Sequence, residues 1–205
     1  LISLDPRDMD ERENYKFLIG SVIPRPVALV STLSAEGVVN IAPFSYFNIV
    51  CADPPMISVS VQRKSGQMKD TSRNAQETGE MVVHITDEEI VEAANDTAVE
   101  YEYNRSELEK ADLSTIPSTK VKAPGIKEAK VRLECRIKQI IPLGGKEAEP
   151  GCDLLIGEVV HYHIKDELYD KGRIDPQLLK PVSRLAGNSY SKLGGIFDIE
   201  RPKYE

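Results

Sequence analysis

The sequence predicts a mainly β domain with short flanking helices, built as a small antiparallel barrel, closed or partly open. Three observations carry this. Residues 130–138 alternate strictly, with Val131, Leu133, Cys135 and Ile137 set between Lys130, Arg132, Glu134, Arg136 and Lys138. A period of two means one buried and one wet face, the habit of antiparallel sheets. The other strand candidates are joined mainly by hairpin-type turns, and no regular βαβ alternation appears, which disfavours a doubly wound parallel sheet. The chain has 205 residues, so one domain spanning 1–205 is expected. The polar stretch 99–128 reads as a partly helical insertion lying over the core, not a second domain.

The elements follow in order. Residues 1–20 read as a polar lead-in with room for a short helix. Pro24 and Pro26 hold Arg25 extended, and Val27–Val30 is a continuous apolar run suited to a buried strand. Ala35-Glu36-Gly37 turns the chain into a return strand, Val38–Ile41. Tyr46–Ala52 and Met56–Gln62 are further strands, punctuated by Asp53-Pro54-Pro55. Lys69–Thr78 predicts a helix closed by Gly79 at its C′ position, and Glu80–Ile85 a strand. Thr86-Asp87-Glu88-Glu89 has the form of a capping box ahead of helically spaced Ile90, Val91, Ala93, Ala94, Thr97 and Ala98. Ser106-Glu107-Leu108-Glu109 is a second cap. Beyond the 130–138 strand, Asp153–Ile164 alternates, with Leu154, Ile156, Val160, Tyr162 and Ile164 assigned to one side. Residues 168–205 form a loop-rich closing segment.

Composition excludes several classes. A hydrophobic share of 40% supports a core. Lys+Arg of 26 against Asp+Glu of 33 gives a net charge of −7, which disfavours nucleic acid and anionic membrane as partners. No apolar run approaches the roughly 20 residues of a membrane span, and the charged opening LISLDPRDMDERENYK has no apolar signal core. Cys51, Cys135 and Cys152 are odd in number and widely spaced, so no disulfide framework is expected. They read as small core residues of a cytoplasmic, reducing compartment. His161 and His163, two apart on a strand, read as lining its solvent side, and no metal site is expected.

The usual nucleotide-loop, hydrolase and zinc signatures are missing. What remains is a charge cluster. Residues 63–73 hold Arg63, Lys64, Lys69 and Arg73 against Asp70, and run into a helix N-terminus with Ser65, Thr71 and Ser72 hydroxyls nearby. Fixed cations, helix dipole and first-turn N–H groups together suit a phosphate. A solvated basic turn is the equal alternative. Residues 40–48, N-I-A-P-F-S-Y-F-N, either wrap a planar ring with backbone amides and Asn48 or form an ordinary hairpin loop with Phe44 and Phe47 in the core.

In order along the chain, I-P-R-P-V-A-L-V-S-T (23–32), N-I-A-P-F-S-Y-F-N (40–48), D-P-P (53–55), S-V-S-V-Q-R-K (58–64), K-D-T-S-R-N (69–74), T-G-E (78–80), C-D-L-L-I-G-E-V-V (152–160) and P-V-S-R-L-A-G-N-S-Y (181–190) resemble the flavin reductase-like, FMN-binding split-barrel family. The branch they resemble is that of nitrilotriacetate monooxygenase component B-like flavoproteins, and the likeness covers about residues 15–197. It implies a six-stranded antiparallel Greek-key split barrel and a homodimer with FMN at the subunit interface. It places Ser31 and Thr32 along the isoalloxazine edge, Thr32 near flavin N5. Ala42, Pro43, Ser45, Tyr46 and Asn48 then contact the ring and ribityl chain. Ser60, Arg63, Lys64, Lys69 and Thr71 surround the phosphate, and Arg184 and Tyr190 reach the cofactor or nicotinamide side. No side-chain acid or base is implied, because the flavin carries the chemistry.

Two functions follow from the resemblance. One is an NAD(P)H-dependent flavin reductase, using NADH or NADPH and supplying reduced FMN to a partner flavin-dependent monooxygenase. The other is an FMN-binding electron carrier without its own NAD(P)H activity. A haem protein on the same barrel would need His84 or His163 as axial ligand.

Overall fold

The computed structural model describes residues 1–99, 105–145 and 149–203. Helix α1 (Glu11–Ser21) opens on a capping box, Asp10 accepting from the Glu13 N–H and Glu13 from the Asp10 N–H. The buried Arg25 guanidinium donates to the Ile19 and Val22 carbonyls at the end of α1 and to Leu185 in the closing segment. The chain continues through β1 (Arg25–Pro26), β2 (Ala28–Leu33), β3 (Val39–Phe44), β4 (Phe47–Ala52) and β5 (Pro55–Gln62). Next come α2 (Asp70–Thr78), β6 (Glu80–Ile85) and α3 (Val91–Asp96), then the short pair β7 (Thr115–Ile116) and β8 (Gly125–Ile126). Two long strands follow, β9 (Val131–Leu143) and β10 (Cys152–Ile164). The end of the chain holds β11 (Tyr169–Asp170), β12 (Arg173–Ile174), α4 (Pro176–Leu179), β13 (Val182–Arg184) and β14 (Tyr190–Lys192).

Among the described residues the main sheet has seven strands in the order β3-β2-β6-β9-β10-β5-β4, all antiparallel. The expected six-stranded barrel is therefore corrected to an open seven-stranded sheet, in which Phe47–Ala52 is a full edge strand. That sheet must curl. Its two edges, β3 and β4, are joined by Ser45 and Tyr46 alone. Three Cα–Cα steps span at most about 11 Å, whereas the edges of a flat seven-stranded sheet lie roughly 29 Å apart. The connection forces the edges together without a ladder between them.

The inner face holds Val30, Val59, Val61, Met81, Val83, Leu133, Cys135, Leu155 and Val159. Strand β2 is buried on both faces, as its unbroken apolar run predicts. Its Leu29 packs outward with Ile41, Ile90, Ala94, Ile126 and Ala129, under α3 and the β7–β8 pair.

Several expectations need correction. The 105–128 segment is a 3₁₀ turn at Glu107–Glu109 and a two-stranded ladder, not a helical insertion; residues 100–104 of that stretch lie outside the described residues. It does lie over the core. It covers Glu134 on the face of β9 expected to be wet, which is fully buried, while Arg136 and Lys138 on that face are exposed as expected; Lys130, just ahead of the strand, is buried beside Glu89 and Asp87. Glu134 accepts from the Thr119 and Lys120 N–H groups and pairs with His163 at 2.6 Å.

Up to Val159 the parity of β10 is the reverse of the expected one; past the register shift between Val159 and His161, Ile164 packs on the inner cluster as expected. Asp153, Leu155, Gly157 and Val159 face inward, while Leu154 and Ile156 are half-buried on the outer face. An added Cβ at Gly157 would stand 2.8 Å from the Met81 methyl, which is why a residue without a side chain sits there. No capping box forms at 86–89: Glu89 is drawn to Lys130 at 2.7 Å, Asp87 accepts the Glu89 N–H, and α3 starts at Val91. Of the cysteines only Cys135 is in the core; Cys51 and Cys152 are half-buried.

Candidate functional site

A cleft of about 680 Å³ opens where the β3 edge meets the N-terminus of α2. One wall is backbone and small apolar surface from Ala42, Pro43 and Phe44. The other is the loop from Lys64 to Lys69, continuing into Asp70, Thr71 and Arg73 of α2. Thr97–Val99 and Glu107 close it.

Local chemistry builds each part. The loop reverses through Ser65 and Gly66, at φ 49° and 71°; Gly66 adopts the left-handed region without steric cost. Helix α2 starts after Lys69, which makes no side-chain cap, so its first-turn N–H groups have no side-chain acceptor at the N-cap. It ends at Gly79, φ 72°, the stop read from the sequence. Beneath the cleft lies a buried polar strut. Asn40 Nδ2 donates to Thr71 Oγ1 at 2.9 Å and to Thr32 Oγ1 at 3.2 Å, and Asn74 Nδ2 donates to Thr32 at 3.1 Å. Because Thr71 Oγ1 accepts from Asn40, its own hydrogen is left to donate elsewhere. Arg73 is steadied by Asp70 at 2.8 Å.

The structure thus brings Ala42, Pro43, Lys64, Lys69 and Thr71 to one cleft. It does not bring the remaining expected residues to that lining. Ser31 donates to the Pro124 carbonyl at 2.5 Å. Thr32 is fully buried in the strut. Ser45 and Tyr46 form the edge-to-edge link, where partial burial raises the Tyr46 phenol. Asn48 Oδ1 accepts its neighbour Ile49 N–H, and Ser60 accepts from Gln62. Arg63 turns away to Asp153, which is fully buried, with contacts of 2.6–3.1 Å. The Arg184 guanidinium lies 4.4 Å over the Tyr190 ring, whose hydroxyl faces Asn95 at 3.4 Å.

Arg73 belongs to the charge cluster legible in the sequence. Glu107 was not legible as a site residue: its S-E-L-E setting reads as a cap, and Ser106 indeed accepts the Leu108 N–H. Yet Glu107 is buried at the cleft wall, where Oε2 accepts the Ile41 N–H at 3.0 Å. Burial raises its pKa, with the nearby Asp70 charge adding to the rise and the Ile41 N–H opposing it.

The histidines give no support to haem or metal. His84 is fully buried with both ring nitrogens used: Nδ1 donates to the Leu29 carbonyl and Nε2 accepts the Ile126 N–H. His163 is committed to Glu134. Among the described residues no group of three or more metal-ligating side chains occurs, and no helix is long and apolar enough to cross a membrane.

A curled antiparallel sheet with a cation-lined cleft beside a helix N-terminus fits a protein that holds a phosphate-bearing ligand. Residues 19–179 match the family described as flavin reductase like domain, and the chain belongs to that family. A solved structure of nitrilotriacetate monooxygenase component B from Bacillus cereus is 56% identical and superposes with a TM-score of 0.95 over 97% of this chain and 98% of that one. The 2-nitrobenzoate 2-nitroreductase NbaA of Pseudomonas fluorescens is 30% identical, with a TM-score of 0.87 over 98% and 96% of the two chains. An uncharacterised protein of Halalkalibacterium halodurans is 50% identical over 202 residues, 98% of this chain and 97% of that one. The expected family, and with it a flavin reductase-type enzyme, stands.

The residues of the cleft fit a flavin that carries a phosphate. Its volume lies within the roughly 300–1,000 Å³ usual for cofactor sites. Cations, a hydroxyl and helix N–H groups suit the phosphate, and Ala42, Pro43, Phe44, Met68 and Val99 suit a planar ring.

Proposed function

We propose that the chain is an NAD(P)H-dependent flavin reductase that binds FMN in this cleft and delivers reduced flavin to a partner monooxygenase. The cleft carries the reading, because it joins an anion site to an apolar wall within a flavin reductase family fold. When bound, the flavin supplies hydride transfer; the protein orients it. Lys64, Lys69 and the Thr71 hydroxyl hold the phosphate at the start of α2, with Asn40 fixing the Thr71 rotamer. The β3 wall from Ala42 to Phe44 keeps one side of the ring dry.

A homodimer with the flavin near the interface belongs to the same proposal. Exposed apolar surface supports it: Ile49 and Val50 on the β4 edge, and Leu193, Ile196, Phe197 and Ile199 in the closing segment are all at least 48% exposed in the single chain. A partner monooxygenase is proposed by analogy with the Bacillus cereus component B.

The test is anaerobic stopped-flow absorbance of FMN-loaded protein mixed with NADH and then NADPH. Bleaching of the flavin band by one of them supports the reductase. A band that survives both but bleaches with dithionite leaves an electron carrier instead. Lys69→Ala is expected to weaken FMN about ten- to hundredfold, the worth of a charged hydrogen bond, and to leave riboflavin unchanged in a fluorescence-quenching titration. Equal losses for both flavins would move the phosphate site elsewhere.

A further inference from the structure

The strut beneath the cleft fixes the direction of its hydrogen bonds, not only their lengths. Asn40 Nδ2 carries two hydrogens, and both are spent: one on Thr71 Oγ1 at 2.9 Å, the other on Thr32 Oγ1 at 3.2 Å. Asn74 Nδ2 gives Thr32 Oγ1 a second donor at 3.1 Å. Thr32, Asn40, Thr71 and Asn74 are each at most 7% exposed, so bulk water does not compete to turn these groups. The two threonines differ in their outlook. Thr32 is enclosed in the strut, whereas Thr71 and Asn40 line the cleft. A hydroxyl that accepts on one side keeps its hydrogen for another. Among the described residues no protein group takes the Thr71 hydrogen, which leaves the cleft as its outlet. Asn40 also stands on β3 two residues before Ala42, on the same face of the strand. One strand therefore carries both the wall for a ring and the group that aims this hydroxyl.

Resting on the flavin reading above, we propose that Asn40 determines the preference of the cleft for a phosphorylated over an unphosphorylated flavin, by making the Thr71 hydroxyl a one-way donor. The oxygens of an ionised phosphate can only accept. A hydroxyl held with its hydrogen toward them binds them; one turned to present a lone pair repels them. Asn40 acts through Thr71 and is a positioning residue. No proton changes hands and no bond in the flavin changes. The opposite sense, with the Asn40 amide oxygen accepting from Thr71, would spend the hydrogen inside the strut and leave the phosphate without this donor. The two senses therefore predict opposite consequences of removing the Asn40 side chain. Loss of a donating Asn40 frees Thr71 to turn and weakens the phosphate. Loss of an accepting Asn40 releases the Thr71 hydrogen and strengthens it.

The experiment is a set of fluorescence-quenching titrations with FMN and with riboflavin. It uses the wild type, Asn40→Ala, Thr71→Val, Thr71→Ser and the double variant Asn40→Ala/Thr71→Val. Thr71→Val is expected to weaken FMN about ten- to hundredfold, the worth of a hydrogen bond to a charged group, and Asn40→Ala roughly three- to tenfold. Riboflavin affinity should stay the same in both, so the ratio of the two flavins moves. Thr71→Ser keeps the hydroxyl and should restore most of the FMN affinity. In the double variant Asn40→Ala should add nothing to Thr71→Val, because the two residues act as one unit. A merely structural Asn40 would weaken both flavins together and add its loss to that of Thr71→Val; either result overturns the proposal. Tighter FMN binding in Asn40→Ala overturns it too, by showing the opposite sense. Should Asn40→Ala not fold, Thr71→Val decides: wild-type FMN affinity in that variant means the hydroxyl donates nothing to the ligand. FMN bound by the wild type with any of these results defeats this inference and leaves the flavin reading intact; no binding of either flavin to the wild type defeats both.

Discussion

Arg63→Ala is expected to destabilise the protein by about 3–5 kcal/mol, the cost of stranding a buried charge whose partner has been removed. Asp153 is fully buried on β10 and accepts from Arg63 Nε at 3.0 and 3.1 Å and from Nη2 at 2.6 Å. The carboxylate in turn holds the Arg63 pKa above its usual value. At about 2–4 °C per kcal/mol for a chain of this size, the melting temperature should drop by roughly 6–20 °C. The double variant Arg63→Ala/Asp153→Leu should recover a large part of that loss, because no unpaired carboxylate remains in the sheet. A double variant no more stable than the single one would refute the pairing. The effect should reach the cleft. The Arg63 N–H donates to the Gly151 carbonyl at 2.8 Å and its Nη1 to Gly66 at 3.2 Å, so the guanidinium anchors the loop that carries Lys64 and Lys69. FMN affinity should fall in both variants, since both lose that anchor. In the proposed phosphate site Arg63 is then a positioning residue, and it does not line the cleft.

The same pair shows where the sequence stops being legible. Lys64, Lys69 and Thr71 could be read as a site because they are close in the chain and run into a helix start. Arg63 reads identically. Only the folded register, which sets Asp153 opposite Val61, reveals that its charge is spent 90 residues away. The β10 parity fails for the same reason: a paired aspartate and a space-limited glycine occupy the inward positions, so the hydrophobic pattern points the wrong way. On β9 the apolar half of the alternation is correct. Of the polar half Arg136 and Lys138 are wet as expected; Glu134 is not, because a segment of other sequence lies across it and supplies backbone donors. Caps are local, and even they depend on tertiary competition. Asp10 and Glu13 are unclaimed by others and form a capping box; Glu89 is claimed by Lys130 and does not. Glu107 lay beyond reach, since no local pattern marks a carboxylate that folds back onto a strand 66 residues earlier.

Lowering the pH from about 6.5 to 4 should detach the 105–128 segment before the main sheet unfolds. His84 is its principal latch. Burial pushes the His84 pKa down to about 4, with the Leu29 carbonyl opposing and Arg132 assisting. Its unfolded value is near 6.5. Above that pH both states are neutral and the latch holds fully. As pH falls through the window the unfolded state binds the extra proton, so stability declines by on the order of 3 kcal/mol by the folded value. The lesion is local because a protonated Nε2 cannot accept the Ile126 N–H, which it holds at 2.8 Å. Glu134 sets the next step. Burial raises its pKa, but His163 and the Thr119 and Lys120 N–H groups together hold it below the usual carboxylate range. Its contribution therefore survives the first window and is lost only as pH falls through that lowered value. Amide hydrogen exchange, corrected for the intrinsic pH dependence, should show protection lost first at Ile126, then at Thr119 and Lys120, with β9 and β10 still protected. In His84→Leu the loss of stability that His84 causes between pH 6.5 and 4 should disappear, from a lower starting stability, since the Leu29 carbonyl and Ile126 N–H lose a partner worth about 1–3 kcal/mol each. Simultaneous loss at all these amides would mean that the segment and the sheet unfold as one unit. Because Glu107 belongs to the same segment and reaches the cleft through Ile41, the ordered sequence also predicts that flavin leaves with the segment, ahead of global unfolding.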